Sequence, residues 1–411
     1  MRLDRPRVRL DLGSLPGASR KHPGSILEPC AGYYRGTMTY VISHTTALEA
    51  MRLADAPRLL AAAKPLDIPD AKAPTRSEAD RWLGRSSMGR LLSRPVHLLV
   101  ADRGGSRDNE TFRSHVLCGD LPAGSFLRVG VGLAVPCPEL LVLQMARLAT
   151  PLELVLLIEE LCGTYAVQPA DPSGMLQRKE PLTSRVRILE FVGKLNRPPA
   201  AAKVRDACSL AFDASGSPME SRLALRIAWP RRKGGYNMPI LSMNEDLEVT
   251  RIWRGLEESH VRRPDILFSL PHDGAPGYCL DYHGGVHGMD GRAEADTVRA
   301  NEMLAFGLQP FAIWHAQYEG TAYLDRLVDG VLRGKLGLPA HRVTAARRAL
   351  ELARREALLA ELDAIDGLSW GVSEKRLSVV KARESVEEAL DRLAIDEARR
   401  RWAAGHGGFA R

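Results

Sequence analysis

The sequence predicts an α+β or α/β protein whose central feature is a small mixed sheet flanked by helices. Over residues 217–314, short apolar runs bounded by Pro, Gly or Asp alternate with helical patterns, in the order helix, strand, strand, helix, strand. The residues before this stretch mix strand-like and helical patterns. From Pro339 onward, Ala, Leu, Glu and Arg recur at helical spacing, which predicts a helical C-terminal tail.

We expect four segments along the 411-residue chain, which is long enough for two or three domains. Residues 1–37 are rich in Arg, Pro and Gly without periodicity, so a disordered extension is predicted there. An α+β domain should follow over 38–215, then the central sheet domain over 216–338 and the helical tail over 339–411. Met38 is a candidate natural start, and a basic arm that binds nucleic acid is the open alternative for the extension.

Apolar runs and prolines place the elements of the segment 38–215. Ser43 is predicted to cap a helix that follows a strand-like run, and two later helices should begin at Pro138 and Pro151. His97 and His115 fall within strand-like runs, and we expect both to be structural histidines. Strands are predicted at Pro95–Ala101, Ser114–Leu117, Ser125–Val129 and Val131–Val135.

The composition is ordinary for a soluble globular protein, with 45% hydrophobic and 26% charged residues. The longest apolar region, residues 138–163, is interrupted by charged residues, so we predict two packed helices there and no membrane partner. The six cysteines form no C-x-x-C pair, and no histidines stand at zinc-ligand spacing, so no zinc site is expected. A cytoplasmic location is the expectation that follows from this cysteine usage.

The net charge of +7 is concentrated at the two ends of the chain. Residues 1–37 carry +4 and residues 341–411 carry +2, which leaves only +1 for the remaining residues. Bulk charge therefore does not predict a wide electrostatic footprint on DNA. The basic clusters 231–233 and 262–263 are open to two interpretations, local phosphate contacts or solvated surface charge.

Acidic residues recur at the edges of the elements in the central stretch. Glu220 lies on the first helix, Asp265 opens the first strand and Asp281 ends the second. Asp265 and Asp281 are sixteen residues apart, and a hairpin with its loop at 271–277 would bring both carboxylates to one end of the sheet. Paired carboxylates repel each other unless a cation relieves the repulsion. A hard divalent ion such as Mg²⁺ is therefore the cofactor that we expect.

These residues resemble the motif of the PD-(D/E)xK nuclease superfamily. Pro264–Asp265 matches its first part, and Asp281–Tyr282–His283 takes the place of its (D/E)xK part. The resemblance implies a restriction-endonuclease-like sheet over roughly residues 216–336, with Asp265 and Asp281 as metal ligands. His283 stands where the superfamily has Lys, so the permanent positive charge of that Lys is absent. A His can act there as a general base or, when protonated, as a donor.

A closer likeness is to the subgroup similar to very-short-patch-repair endonucleases. Members of that subgroup have a His shortly after the second acid, then D-x-x-R before an apolar helix. His287, Asp296 and Arg299 match these positions. Glu220 matches an extra acid that this subgroup places on its first helix. The resemblance implies that His287 is an alternative general base and that Asp296 and Arg299 support the site.

Some of these residues have a structural explanation that is independent of catalysis. Ser217 and Glu220 form an S-x-x-E pattern with Pro between them, which is the signature of a helix capping box. Asp296 and Arg299 stand at i,i+3 on a predicted helix, and a structural ion pair explains them without a direct catalytic role.

The segment before the central domain also resembles a known family. The runs V-I-S-H-T-T-A-L and R-P-V-H-L-L-V look like the N-terminal part of uncharacterised actinobacterial proteins that pair an AbiEi-antitoxin-like domain with a nuclease-like domain. Together the resemblances imply a Mg²⁺-dependent DNA endonuclease. The alternative is a non-catalytic DNA-binding or antitoxin-like regulatory protein on a degenerate nuclease scaffold. Self-association through the helical tail is a further partner hypothesis.

Overall fold

The structure of the chain is a computed structural model that describes residues 39–66, 71–85, 89–117, 119–130, 132–253, 256–284, 292–371 and 392. The predicted extension 1–37 and most of the predicted tail beyond residue 371 lie outside this description. The described residues form a mixed α+β structure with several small sheets, as the sequence predicts. None of the described helices is both long and apolar enough to cross a membrane.

The N-terminal part is built on a six-stranded mixed sheet. Its strands are β1 (Tyr40–Ile42), β2 (Lys64–Leu66), β3 (Val96–Val100), β4 (Phe112–Val116), β5 (Phe126–Gly130) and β6 (Leu133–Pro136). The spatial order is β2-β5-β6-β1-β3-β4. Strand β1 pairs parallel with β6 and antiparallel with β3, and β3 pairs parallel with β4. The strands predicted between residues 95 and 135 are confirmed to within two residues.

Helices cover this sheet, and a short hairpin follows them. The elements are α1 (His44–Met51), α2 (Ala56–Ala62), α3 (Arg76–Arg85), α4 (Pro138–Met145), α5 (Pro151–Cys162), β7 (Tyr165–Val167), β8 (Met175–Gln177), α6 (Arg185–Gly193) and α7 (Ala201–Leu210). Helices α4 and α5 begin at the predicted prolines and supply much of the apolar core. Thr150 and Glu153 close a reciprocal capping box on α5, which satisfies two free backbone N–H groups.

The central part is built on a four-stranded mixed sheet. Its elements are α8 (Pro218–Ala228), β9 (Ser242–Met243), β10 (Leu247–Trp253), β11 (Leu256–Arg262), β12 (Ile266–Ser269), β13 (Gly277–His283), α9 (Arg292–Ala305) and β14 (Leu308–Trp314). The sheet order is β14-β13-β12-β9, while β10 and β11 form a separate hairpin. The predicted order helix, strand, strand, helix, strand is found as α8, β12, β13, α9 and β14. Helix α9 provides the crossover that the parallel pair β13–β14 requires.

Helical segments complete the described chain. They are α10 (His315–Glu319), α11 (Thr321–Leu324), a π-helical segment (Asp325–Leu332), α12 (Arg333–Lys335) and α13 (Ala345–Ala364). The helical segment is continuous from α11 to α12. Its residues Leu324, Val328 and Leu332 are buried in the same apolar core as Ile313 of the sheet.

Helices α8 and α13 contribute to the cores of both sheets. On α8, Leu225 packs in the core of the N-terminal sheet, whereas Leu223 and Ile227 pack in the core of the central sheet. On α13, Leu358 and Leu362 join the core of the N-terminal sheet. The first helix of the predicted tail is therefore part of the folded body of the protein.

Glu351 and Arg355 on α13 form an i,i+4 ion pair that is buried, although this pattern is typical of an exposed helix face. Both residues are buried, and their charged groups lie 3.6 Å apart. Arg355 also pairs with Asp325 and Asp329, which belong to the π-helical segment. The pattern Glu-x-x-x-Arg predicts a pair at i,i+4, but it cannot tell whether another helix will cover that pair.

Candidate functional site

The three acids predicted from the sequence come together at one end of the four-stranded sheet. Strands β12 and β13 are antiparallel, with Ile266 opposite Leu280, so Asp265 before β12 lies beside Asp281 near the end of β13. Glu220 lies in the first turn of α8. These three residues are called the carboxylate cluster below.

Asp265 and Asp281 are held together by crossed backbone hydrogen bonds. The backbone N–H of Asp265 donates to Oδ1 of Asp281 at 3.1 Å. The backbone N–H of Tyr282 donates to Oδ2 of Asp265 at 2.5 Å. Because each carboxylate accepts from the strand that carries the other acid, the hairpin fixes the separation of the two groups.

Glu220 combines a capping role with a place in the cluster. Ser217 Oγ accepts from the backbone N–H of Glu220 at 3.1 Å, which confirms the predicted N-cap. The reciprocal half of the capping box is altered, because Oε2 of Glu220 accepts from the N–H of Gly216 at 2.7 Å instead of from Ser217. The same oxygen accepts from Nδ2 of Asn244 at 2.7 Å, and the N–H of Asn244 donates to the carbonyl of Pro264 at 3.0 Å. Asn244 therefore links Glu220 to the turn before Asp265.

Burial and mutual repulsion make this cluster electrostatically unfavourable for carboxylates. Burial raises the pKa of Asp265 well above its usual range, and the charges of Glu220 and Asp281 raise it further. Burial also raises the pKa of Glu220, against the hydrogen bonds from Asn244 and Gly216, which favour its charged form. A divalent cation between such groups would remove the repulsion.

Arg299 on α9 provides the positive charge beside the cluster. Its Nη2 donates to Oδ1 of Asp281 at 3.2 Å and also to the backbone carbonyl of Arg263. Its Nε is buried without a hydrogen-bond partner in the described part of the chain. The alternative explanation, an ion pair with Asp296, involves a side chain outside the described residues. Arg299 therefore supports the cluster directly, whatever its relation to Asp296.

His283 lies on the same side of β13 as Asp281, because side chains two residues apart on a strand share a face. Its ring stacks on Trp314 of the neighbouring strand β14, with ring centroids 4.9 Å apart. Tyr282 lies on the opposite face, where its hydroxyl is 3.1 Å from Nδ1 of His315. The alternative base, His287, lies outside the described residues.

The geometry limits which acids can hold one metal ion directly. Three His, Cys, Asp or Glu side chains can share one metal ion when their ligand atoms lie close together. Among the described residues, one such group has all its ligand atoms within 4.8 Å of one another, and it consists of His44, His97 and His115. The carboxylate oxygens of Glu220, Asp265 and Asp281 are therefore too far apart for all three residues to bind one ion directly. Asp265 and Asp281 are adjacent and offer carboxylate oxygens, which are suitable ligands for a hard cation. Glu220 would contact such an ion through a water molecule.

Three arginines of the basic clusters, for which phosphate contact and solvated charge were both open, form ion pairs within the protein. Arg231 pairs with Asp329, and its side chain is only 13% exposed. Arg262 pairs with Glu302. Arg263 pairs with Asp246 at the surface. These arginines could contact a phosphate only by giving up an acidic partner.

The three-histidine group in the N-terminal part was not predicted from the sequence. His97 and His115 were expected to be structural, and His44 was not singled out. All three lie on or directly after strands that are neighbours in the sheet, namely β3, β4 and β1. The histidines stand far apart along the chain, so only the strand order reveals that they meet.

No protein-family model, curated protein or solved structure matches the chain. Its function must therefore be inferred from the geometry and chemistry of its own residues.

Proposed function

We propose that the chain is a Mg²⁺-dependent DNA endonuclease that hydrolyses phosphodiester bonds at the carboxylate cluster. The observation that carries this proposal is the crossed hydrogen bonding of Asp265 and Asp281 beside Glu220, which keeps three mutually repelling acids at one sheet end. Clustered buried acids with raised pKa values are typical of functional sites, because a fold gains little stability from holding them together.

Each side chain has a distinct place in this proposal. Asp265 and Asp281 would hold the ion, which when bound polarises a phosphoryl oxygen and lowers the pKa of water. Glu220 would orient a water molecule, since its carboxylate is fixed by Asn244 and Gly216. His283 would accept the proton of the attacking water from its position on the face of Asp281, and His287 is the alternative base.

The nuclease-like fold belongs to the same proposal. It is supported by the small mixed sheet, by the flanking helices α8 and α9, and by the placement of the acids at the ends of adjacent strands. The AbiEi-like nature of the N-terminal part and an antitoxin-like role rest on the sequence likeness alone. Self-association through the tail over 339–411 also remains part of the proposal, and most of the tail beyond residue 371 lies outside the described residues.

A second candidate is a DNA-binding regulator without catalytic activity on the same scaffold. The specific observation that favours it is His283, which replaces the Lys of the superfamily and stacks on Trp314. The stack restricts the rotation of the His283 ring, and the ammonium charge that a Lys would supply at this position is absent. The transition-state phosphate would then lack one fixed cation.

The two candidates are distinguished by incubating supercoiled plasmid with the full chain in Mg²⁺, in Mn²⁺ or in a chelator. The endonuclease proposal predicts nicked or linear products with either metal and none with the chelator. The regulator predicts DNA retention in a gel-shift assay with the chelator and no products under any condition. Absence of both cleavage and retention would contradict both candidates.

A further inference from the structure

Three imidazole rings meet at the edge of the N-terminal sheet. Nδ1 of His97 and Nε2 of His115 lie 2.9 Å apart, and the ring of His44 stacks on that of His115 with centroids 3.8 Å apart. Each residue places a ring nitrogen within 4.8 Å of those of the other two. His44 is buried, whereas His97 and His115 are half-buried, so one side of the group remains open to solvent.

The strand order explains why these histidines meet. Strands β3 and β4 are parallel, with Leu99 opposite His115, so His97 and His115 lie diagonally on one face of the sheet. His44 follows β1, which pairs with the other edge of β3. The helix that begins at His44 therefore starts directly beside the two strand histidines.

The backbone at His44 has an uncommon conformation. Its φ is +50°, a left-handed value that a residue other than glycine adopts only when its surroundings hold it there. Ser43, predicted to cap the helix with its side chain, makes no such capping bond; its Oγ instead lies 3.0 Å from Nδ1 of His44. The N–H of His44 donates to Oε1 of Gln144 at 3.2 Å. These contacts fix the position of the His44 ring.

We propose that His44, His97 and His115 form a binding site for a divalent transition-metal ion, with Zn²⁺ the best match and a fourth position open to water or another ligand. Three imidazoles with an open position are an established zinc ligand set in proteins. Nitrogen donors also distinguish this site from the carboxylate cluster, because Mg²⁺ prefers oxygen. The proposal is independent of the nuclease function.

The protonation state of the rings suits a metal. Burial lowers the pKa of His44 to about 3 and that of His115 to about 4, and burial also lowers the pKa of His97. All three rings are therefore neutral at pH 7 and can offer lone pairs. The charged groups that face them are Arg113, Arg147 and Asp108.

The nitrogens of His97 and His115 are already close to the separation that a zinc site requires, whereas the stacked His44 ring would turn so that a nitrogen lone pair faces the ion. Zinc–nitrogen bonds of about 2.0–2.1 Å in a tetrahedral site place two ligand nitrogens about 3.3 Å apart. The nitrogens of His97 and His115 would therefore separate by roughly 0.4 Å. The ring that now donates in this pair would switch tautomer, so that both facing nitrogens present lone pairs and no proton is lost. In the tautomer in which Nδ1–H of His44 donates to Ser43, Nε2 is the free ligand atom.

The test is a zinc titration of the full chain, stripped of metal by dialysis, in competition with a chromogenic chelator. We expect one tight Zn²⁺ per chain and, with Co²⁺ in its place, the intense visible absorption of a four-coordinate ion without thiolate charge-transfer bands. Loss of a residue that only hydrogen-bonds to a metal ligand lowers affinity about 10–100-fold. Because His97→Gln and His115→Gln each remove a direct ligand, each should lower the zinc affinity by more than about 100-fold. Ser43→Ala should lower it by about tenfold.

Matched controls separate this site from others. His272→Gln removes an exposed histidine of the loop 271–277 and should leave zinc binding unchanged. Asp281→Ala should also leave it unchanged, whereas a loss would place the ion at the carboxylate cluster and overturn the proposal. Equal zinc affinity in the parent, His97→Gln and His115→Gln would overturn it as well. If both variants fail to fold, the Co²⁺ spectrum of the parent decides, and an absent or thiolate-type spectrum would contradict the assignment.

Discussion

The backbone N–H of Asp265 donates to the carboxylate of Asp281 at 3.1 Å, although both side chains are acidic and partly or fully buried. The reverse contact, from the N–H of Tyr282 to the carboxylate of Asp265, completes the crossed pair. Hydrogen bonds from backbone groups favour the charged carboxylates, whereas burial and repulsion oppose them. In the proposed function, a divalent cation would offset this repulsion.

Arg299→Gln removes the cation that partly offsets this repulsion. We expect the free energy of unfolding in a chelator to fall by about 1–2 kcal/mol, because Asp281 loses a charged hydrogen-bond partner that is itself one-third exposed. Added Mg²⁺ should then stabilise the variant more than the parent, as measured by urea unfolding. Arg263→Gln is the control, since its exposed pair with Asp246 should contribute less than about 1 kcal/mol. Equal stabilisation of parent and variant by Mg²⁺ would count against a metal at the cluster.

Ser217→Ala and Glu220→Gln separate helix capping from catalysis. Loss of the Ser217 cap should lower the free energy of unfolding by about 1 kcal/mol while DNA cleavage persists at low temperature. Glu220→Gln keeps a side chain of the same shape but removes the charge, so cleavage should fall at least about tenfold with little loss of stability. Both variants are measured by thermal unfolding and by plasmid cleavage. Unchanged cleavage in Glu220→Gln would limit Glu220 to its capping role.

Much of the central fold could be predicted from the sequence, because it is encoded in local signals. Short apolar runs with turn residues between them marked β12, β13 and β14, and S-P-x-E marked the start of α8. The same reasoning predicted that Asp265 and Asp281 would meet, since a hairpin of known loop length determines which strand ends are neighbours. Strand β9 and the hairpin β10–β11 were missed.

Features that depend on contacts between distant segments could not be predicted. Prediction of the histidine group requires knowing that β1, β3 and β4 are adjacent, and the pairing of strands that are distant along the chain leaves no local signature. The burial of Glu351 requires knowing that the π-helical segment covers one side of α13. Glu220 could be predicted only in part. The local S-x-x-E pattern predicted that Ser217 caps the helix at Glu220, but not that Asn244 contacts the Glu220 carboxylate.

Glu351→Ala should destabilise the protein strongly. The carboxylate accepts from His341 at 2.8 Å and from Arg347 at 3.1 Å, and it lies 3.6 Å from Arg355. Its removal leaves His341 and Arg347 without this acceptor, while Arg355 keeps Asp325 and Asp329, and we expect a loss of about 1–3 kcal/mol in the free energy of unfolding. Glu356→Ala, an exposed acid on the same helix, is the matched control and should change stability by less than about 0.5 kcal/mol. Similar effects of the two substitutions in urea unfolding would refute the buried network.

Glu159→Gln should alter the pH dependence of stability. Glu159 is fully buried on α5, and burial raises its pKa to about 8, while the N–H of Phe212 donates to its Oε1 at 3.1 Å. Because the folded state holds this proton more tightly than the unfolded state, stability should fall as pH rises from about 4.5 to about 8, by on the order of 1 kcal/mol per pH unit. The neutral glutamine lacks this dependence.

The stability difference between Glu159→Gln and the parent should therefore grow in favour of the variant as pH rises from 5 to 8. Urea unfolding of both proteins at pH 5, 6.5 and 8 measures this difference directly, and effects of other titrating groups cancel in the comparison. A difference that is constant with pH would show that Glu159 is ionised in the folded protein.

The proposed function requires Asp265 and Asp281 to hold the ion that drives phosphodiester hydrolysis. Its most direct test is metal-dependent cleavage of supercoiled plasmid by the parent, Asp265→Asn, Asp281→Asn and the control Asp273→Asn, which changes an exposed acid in the loop between β12 and β13. We expect cleavage by the parent and the control with Mg²⁺ or Mn²⁺, and a loss of at least about 100-fold in both site variants. Equal cleavage by all four proteins, or none by the parent, would contradict it.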